Sequence, residues 1–289
     1  MRKIQIMTDS ASDISVTDEK KYNIPILPFL ITIGDKSYLS RVDIDNDMFF
    51  ELMAKNDEIP KTTQITSYQF VEIYLQQAKA GVEDLILVLI NSKGSSTYDN
   101  SVAAIDMFYE EYPEFKDKMS IYSIDGMGYS SLYGVPVIEA IKMRDNGATA
   151  QEIVEFLTDI LPRREIFFGI YELKYAAKSG RIPTAAAFVG SIMNLKPVMR
   201  IFDREINTAA KCFGERKLLK KLVELTKQDM EPNTPYEIIY ARDTDCTEQF
   251  RKMIVDELGY EPSAIYQTGA AVAANAGPRI AGISFIKRK

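Results

Sequence analysis

Asp84-Leu85-Ile86-Leu87-Val88-Leu89-Ile90-Asn91-Ser92-Lys93-Gly94-Ser95-Ser96-Thr97 is the stretch that decides the fold. An apolar run reads as a strand, a hydroxyl-rich turn follows it, and a helical pattern opens at about Tyr98. A similar turn, Thr62-Thr63-Gln64-Ile65-Thr66-Ser67, precedes a second amphipathic helical pattern beginning at Tyr68. Helix N-termini carry unsatisfied N–H groups and roughly half a positive charge, so they favour an anion. Two such turns that converge would form a neutral cradle for a carboxylate or phosphate.

Strand and helix patterns alternate outward from that stretch. Lys3–Thr8 reads as a strand, and Ile24–Ile33 as a second, which Pro25 and Pro28 mark as an edge. Helices are expected over Asp45–Ala54, after Ser67, over Tyr98–Glu111 and over Leu132–Asp145, with a strand at Ser120–Ile124. This alternation predicts an α/β fold with a mainly parallel sheet covered by helices. In such sheets ligands bind beyond the carboxyl ends of the strands, where Asp9-Ser10, Asn91–Thr97 and Asp125-Gly126 fall. Asn146-Gly147 is a turn signal, and Thr149 with Glu152 forms a capping box for a helix toward Leu161. The expected division is therefore an N-terminal α/β domain, 1–148, and a C-terminal one, 149–289. In the second, strands are expected at Ile166–Tyr171, Pro197–Phe202 and Tyr236–Tyr240, with a Gly/Ser loop between the first two. Helices follow at Glu215–Lys227 and Thr247–Leu258, and a small-residue segment, Thr268–Ser284, ends the domain.

Composition narrows the chemistry. The 289 residues are 46% apolar and 26% charged, as in ordinary globular proteins. With 35 basic against 41 acidic residues the formal charge is −6, which disfavours nucleic acid and leaves at most transient membrane contact. No signal peptide or membrane-length apolar run is legible, so a cytoplasmic location is expected. Cys212 and Cys246 match no zinc spacing and read as free thiols. Histidine is absent altogether, which removes Ser-His-Asp, Cys-His and HExxH mechanisms. Lys178-Ser179-Gly180-Arg181 lacks the Walker spacing of a nucleotide loop, and Arg181 is expected to pair with a buried carboxylate or support the loop between domains.

A series of motifs, in order along nearly the whole chain, resembles the DegV family of bacterial fatty-acid-binding proteins. Met7-Thr8-Asp9-Ser10-Ala11-Ser12-Asp13 is similar to its TDS-x-SD opening, Lys61-Thr62-Thr63-Gln64 to its TSQ element, and Ser92–Tyr98 to its SSxxSGTY element. Ile124-Asp125, Tyr171–Ile182, Lys196-Pro197-Val198 and Asn275-Ala276-Gly277-Pro278 resemble further family segments in turn. The resemblance implies a DegV-type two-domain fold, with a parallel N-terminal sheet and a mixed C-terminal one. It also implies a long-chain fatty acid in a tunnel between the domains, with no catalysis and no cofactor beyond that bound acid. Carried over position by position, the carboxylate ligands are Thr62, Ser95 and Asn275. The implied partner is a fatty acid kinase, which makes acyl phosphate for phospholipid synthesis.

The chain departs from the family pattern at several points. Asn275 stands where the family has histidine, Arg279 where it has the glycine after the proline, and Ser96 where it has the SGT glycine. The family's basic K-x-R pattern reads Lys211-Cys212-Phe213, with Glu215 where another base is common. The alternative reading is a phosphoryl-transfer or sugar-phosphate enzyme. It would use Asp9, Asp125 or Lys178 with Mg²⁺ at the same strand ends.

Overall fold

The computed structural model describes residues 2–56, 58–182 and 194–289, and it has the expected α/β architecture. The chain runs β1 (Ile4–Asp9), α1 (Val16–Tyr22), β2 (Ile26–Leu27), β3 (Leu30–Ile33), β4 (Lys36–Leu39), α2 (Asn46–Lys55) and β5 (Lys61–Thr63). Next come α3 (Ser67–Lys79), β6 (Asp84–Leu89), α4 (Thr97–Glu111), β7 (Ser120–Asp125), α5 (Ser131–Asp145) and α6 (Ala150–Ile160). The remainder is β8 (Arg164–Ile170), α7 (Leu173–Ser179), β9 (Leu195–Phe202), β10 (Glu205–Phe213), α8 (Glu215–Asp229), β11 (Tyr236–Tyr240), α9 (Thr244–Leu258), β12 (Ala264–Gln267), α10 (Ala270–Ala276) and β13 (Ile280–Ile286).

The first sheet has the order β2-β1-β6-β7, and all its pairs are parallel. β6 is buried at every residue because both of its faces are covered. Leu85, Leu87 and Leu89 pack with Phe70, Tyr74 and Phe108 of α3 and α4. Ile86 and Val88, on the opposite face, join Tyr133 and Val137 of α5 and Ile153 and Leu157 of α6. Each such side chain contributes about 1.5–3 kcal/mol on burial. The proline-flanked segment yields only the two-residue β2 at the sheet edge. Its continuation, β3, leaves to form a small antiparallel sheet with β4 and β5. Helix α6 begins at the expected Thr149–Glu152 capping box and packs on α5, β6 and β7.

The second sheet is mixed, in the order β10-β9-β8-β13-β11-β12, with only β11–β12 parallel. Several of its elements differ from the sequence expectation. The small-residue segment divides into α10 and the central strand β13, where small residues permit close packing: a Cβ at Gly282 would lie 3.1 Å from that of Phe168. β10 is an edge strand whose residues are mostly exposed, so it carries little apolar signal. The expected Gly/Ser loop begins as helix α7, whose Leu-Lys-Tyr-Ala-Ala-Lys run favours a helix and which ends at left-handed Gly180, φ 71°. The rest of that loop, residues 183–193, lies outside the described residues. Among the described residues no helix is long and apolar enough to cross a membrane.

Buried carboxylates tie the elements together. Asp9 accepts from Ile90 N at 2.7 Å, Ala11 N at 2.9 Å and the Tyr133 hydroxyl at 2.7 Å, joining β1, β6 and α5. Asp13 Oδ1 accepts from Gly269 N at 2.8 Å, just ahead of α10. Asp125 accepts from Arg204 Nε at 2.6 Å, and Asn91 Nδ2 donates to the Arg204 carbonyl at 2.8 Å. The β9–β10 hairpin tip is thereby fastened to the strand ends of the first sheet. Burial raises Asp9 to about 6 and Asp13 to about 7. Hydrogen bonds from Tyr133 and Ile90 to Asp9, and Gly269, Ser130 and Arg41 around Asp13, act in the opposite direction.

Two measurements follow from this packing. A Cβ at Gly134, inside α5, would lie 2.4 Å from the Ser12 carbonyl. Gly134→Ala is therefore expected to cost about 1–3 kcal/mol in urea unfolding through overpacking, and not to gain the roughly 1 kcal/mol of an ordinary helical Gly→Ala change. The second concerns pH. Asp13 is raised above its ordinary 3.8, so the folded protein retains a proton that the unfolded chain has released. Its contribution to stability is greatest at low pH and falls as pH rises through about 4 to 7. Asp13→Asn keeps an acceptor for Gly269, so its stability relative to the parent protein should rise across that window. A difference independent of pH would contradict the assignment.

Candidate functional site

One face of the mixed sheet is covered by its own helices: Phe167, Val198, Ile238, Ile283 and Phe285 pack with Leu218, Leu222 and Phe250 of α8 and α9. The alternate residues Ile166, Phe168, Ile201, Ile239 and Ile280 point the other way, toward the first sheet. They form the floor of a cavity of about 380 Å³, within the range of small-molecule sites. Phe29 and Ile90 line it from the N-terminal half, and Ala271, Val272 and Ala276 of α10 form another wall.

Thr62, Ser95 and Asn275 all line this same cavity. Thr62 and Ser95 are brought together by a latch between the loop after β5 and the first turn of α4. Ile65 N reaches Thr97 Oγ1 at 3.4 Å, and Asn100 Nδ2 donates to the Ile65 carbonyl at 2.8 Å. Ser95 Oγ lies 2.9 Å from Thr97 Oγ1 and accepts from Thr97 N at 3.3 Å. Asn275 spends one amide proton on the Ala271 carbonyl at 3.0 Å, leaving its second N–H and its oxygen as further hydrogen-bonding capacity.

The expectation of two helix-terminal turns is realised once. Thr62 lies within strand β5, where it pairs with Ile31. At the N-terminus of α3 a capping box of Thr66 and Gln69 satisfies the Thr66 and Gln69 N–H groups. At α4 the cap residue, Ser96, makes no side-chain cap bond, and Ser95 takes the Thr97 N–H instead. Nor is the polar end built of alcohols alone, since Arg181 also lines the cavity. Arg181 donates to the Ser179 carbonyl at 2.7 Å and, among the described residues, makes no ion pair with a buried carboxylate, so of the two roles expected for it the ion pair is not formed. Tyr129 is a lining residue that motif reading missed. A Cβ at Gly94 would fall 2.0 Å from its hydroxyl, so glycine is what admits the ring beside Ser95. Burial pushes the Tyr129 hydroxyl up to about 12, against the pull of Asn91 and Arg181, so it is a neutral hydrogen-bond donor at pH 7. The only signal for it in the sequence was its place four residues beyond Asp125, at a strand end.

The residues of the enzymatic alternative lie elsewhere. Asp9 is fully buried and engaged by three donors. Asp125 is engaged by Ser92, Met127 and Arg204. Lys178 is exposed on α7, and none of the three lines the cavity. Among the described residues no group of three or more acidic or cysteine side chains is placed to hold a metal.

Comparison with known proteins agrees with this architecture. A family model described as "uncharacterised protein, DegV family" matches residues 3–288. The DegV domain-containing protein YteA of Lactococcus lactis is 30% identical over 289 residues, covering 99% of this chain and 98% of its own length. A stearic acid-binding protein from Eubacterium ventriosum superposes with a TM-score of 0.86 at 21% identity, over 99% of this chain and 98% of that one. DegV of Bacillus subtilis, described as a fatty acid binding protein, superposes at 0.82 and 21% identity over the whole of both chains. A family match over residues 3–288, with a relative 30% identical across nearly the whole of both chains, means that the chain belongs to the DegV family.

Proposed function

We propose that this protein binds a long-chain fatty acid. The tail lies along the Ile and Phe side chains of the mixed sheet, and the carboxylate rests against Thr62, Ser95 and Asn275. The observation that carries this reading is a single cavity with an aliphatic and aromatic floor and hydroxyl, amide and guanidinium groups on its rim. The Eubacterium and Bacillus relatives, which bind stearic acid and fatty acid respectively, support it. Tyr129 and Arg181 add a neutral donor and a cation to the head-group contacts. The lobes 1–148 and 149–289 are the two sides of the site. The protein is a cytoplasmic carrier that presents its acid to a fatty acid kinase for conversion to acyl phosphate, and it does no chemistry itself.

The tail dominates the energetics. About 14 methylenes at ~0.8 kcal/mol each give roughly 11 kcal/mol before association costs. A hydrogen bond from a neutral donor to the carboxylate contributes about 1.5–3 kcal/mol. Hydroxyls therefore orient the ligand and select an acid, while the hydrocarbon supplies most of the affinity. Purified protein examined by native mass spectrometry should carry an adduct of fatty-acid mass. Calorimetry should find Ser95→Ala weakened by about ten- to a hundredfold, the equivalent of one charged hydrogen bond. Ala271→Trp, which fills the cavity, should abolish binding. Equal affinity of both variants for octadecanoic acid would defeat the proposal.

A further inference from the structure

The cavity has a second polar point, separate from Thr62, Ser95 and Asn275. Ser130 and Thr268 also line it, at 2% and 0% exposure. Among the described residues neither hydroxyl has a hydrogen-bond partner, and neither has Oδ2 of Asp13, a residue 5% exposed. These three atoms belong to one place in the fold. Asp13 Oδ1 is bonded to the N–H of Gly269, the neighbour of Thr268. The Ser130 hydroxyl is near enough to favour the charge on Asp13, although it does not make a hydrogen bond of normal geometry. Buried polar atoms in folded proteins are nearly always paired. A plain hydrocarbon passing Ser130 and Thr268 would leave both hydroxyls unpaired.

Their position relative to the head group follows from helix geometry. Thr268 lies two residues ahead of α10 and Asn275 near its end; the five steps from Ala270 to Asn275 alone rise roughly 7.5 Å at 1.5 Å per residue. With the carboxylate at the Asn275 end, Thr268 faces the tail well beyond the first carbons. A hydroxyl is both donor and acceptor, which is what two unpaired hydroxyls facing one cavity require.

We propose that the cavity is built for a fatty acid bearing a hydroxyl part-way along its chain, which accepts from Thr268 Oγ1 and donates to Ser130 Oγ. This rests on the fatty-acid reading above and adds a ligand class to it. Sites that hydrogen-bond a ligand hydroxyl discriminate steeply against analogues lacking it, whereas a change of one methylene discriminates weakly.

The test is calorimetry with octadecanoic acid and a series of hydroxyoctadecanoic acids with the hydroxyl near the head, at mid-chain or near the methyl end. Each is titrated into the parent protein, Thr268→Val and Ser130→Ala, with thermal unfolding to verify that the variants are folded. The mid-chain isomer should bind the parent about tenfold tighter than octadecanoic acid, or about 1.4 kcal/mol. Thr268→Val should erase that preference while leaving octadecanoic acid bound at least as tightly. If the parent binds octadecanoic acid as well as every hydroxy isomer, the inference is overturned: the orphan atoms hold water and the fatty-acid reading stands. A preference that survives in both variants overturns it equally. Should either variant fail to fold, the isomer series on the parent protein decides. If no acid binds at all, the fatty-acid reading fails and this inference fails with it.

Discussion

The structure depends on one unbalanced sheet. β8, β9, β11 and β13 present two apolar faces, but only one of them is packed by α8 and α9. The other face must be buried against something, and it is covered by α5, α10 and residues of the first sheet's helical layer. Helices meeting a twisted sheet from another part of the chain do not fill it evenly, and the gap they leave is the cavity. Its floor is aliphatic and aromatic, which suits it to hydrocarbon.

That arrangement also explains where polar groups collect. Strand ends and helix starts carry backbone groups without partners, and they lie at the junction because the first sheet points its carboxyl edge toward the second. Some of those groups are consumed structurally: Asp9 by Tyr133 and Ile90, Asp125 by Arg204, and the start of α3 by its own capping box. Among the described residues, what remains on the cavity wall is uncharged except for Arg181. The departure at Arg279 has a similar local account. Its guanidinium pairs with Asp243 and Glu215 and stacks over Tyr171, so a large cation is accommodated there on the side of the sheet facing α8 and α9.

Much of this was legible in the residues themselves. The apolar β6 and the Thr149–Glu152 capping box are local signals, and each appears where the sequence pattern places it. Thr62, Ser95 and Asn275 were nameable only by their likeness to family motifs. Spacing alone read Thr62 as part of a helix start, when it pairs within a strand. Tyr129 and the Ser130–Thr268 pair carried no motif at all.

The sequence by itself determined the order and kind of most elements, because side-chain periodicity and capping act over a few residues. Tertiary structure alone decided that the last strand, β13, inserts between β8 and β11, and that a β5 threonine, a strand-end serine and an α10 asparagine border one void. Those contacts join residues remote in the chain. They are selected by which apolar faces can bury one another, a property of the assembled layers that no local pattern contains.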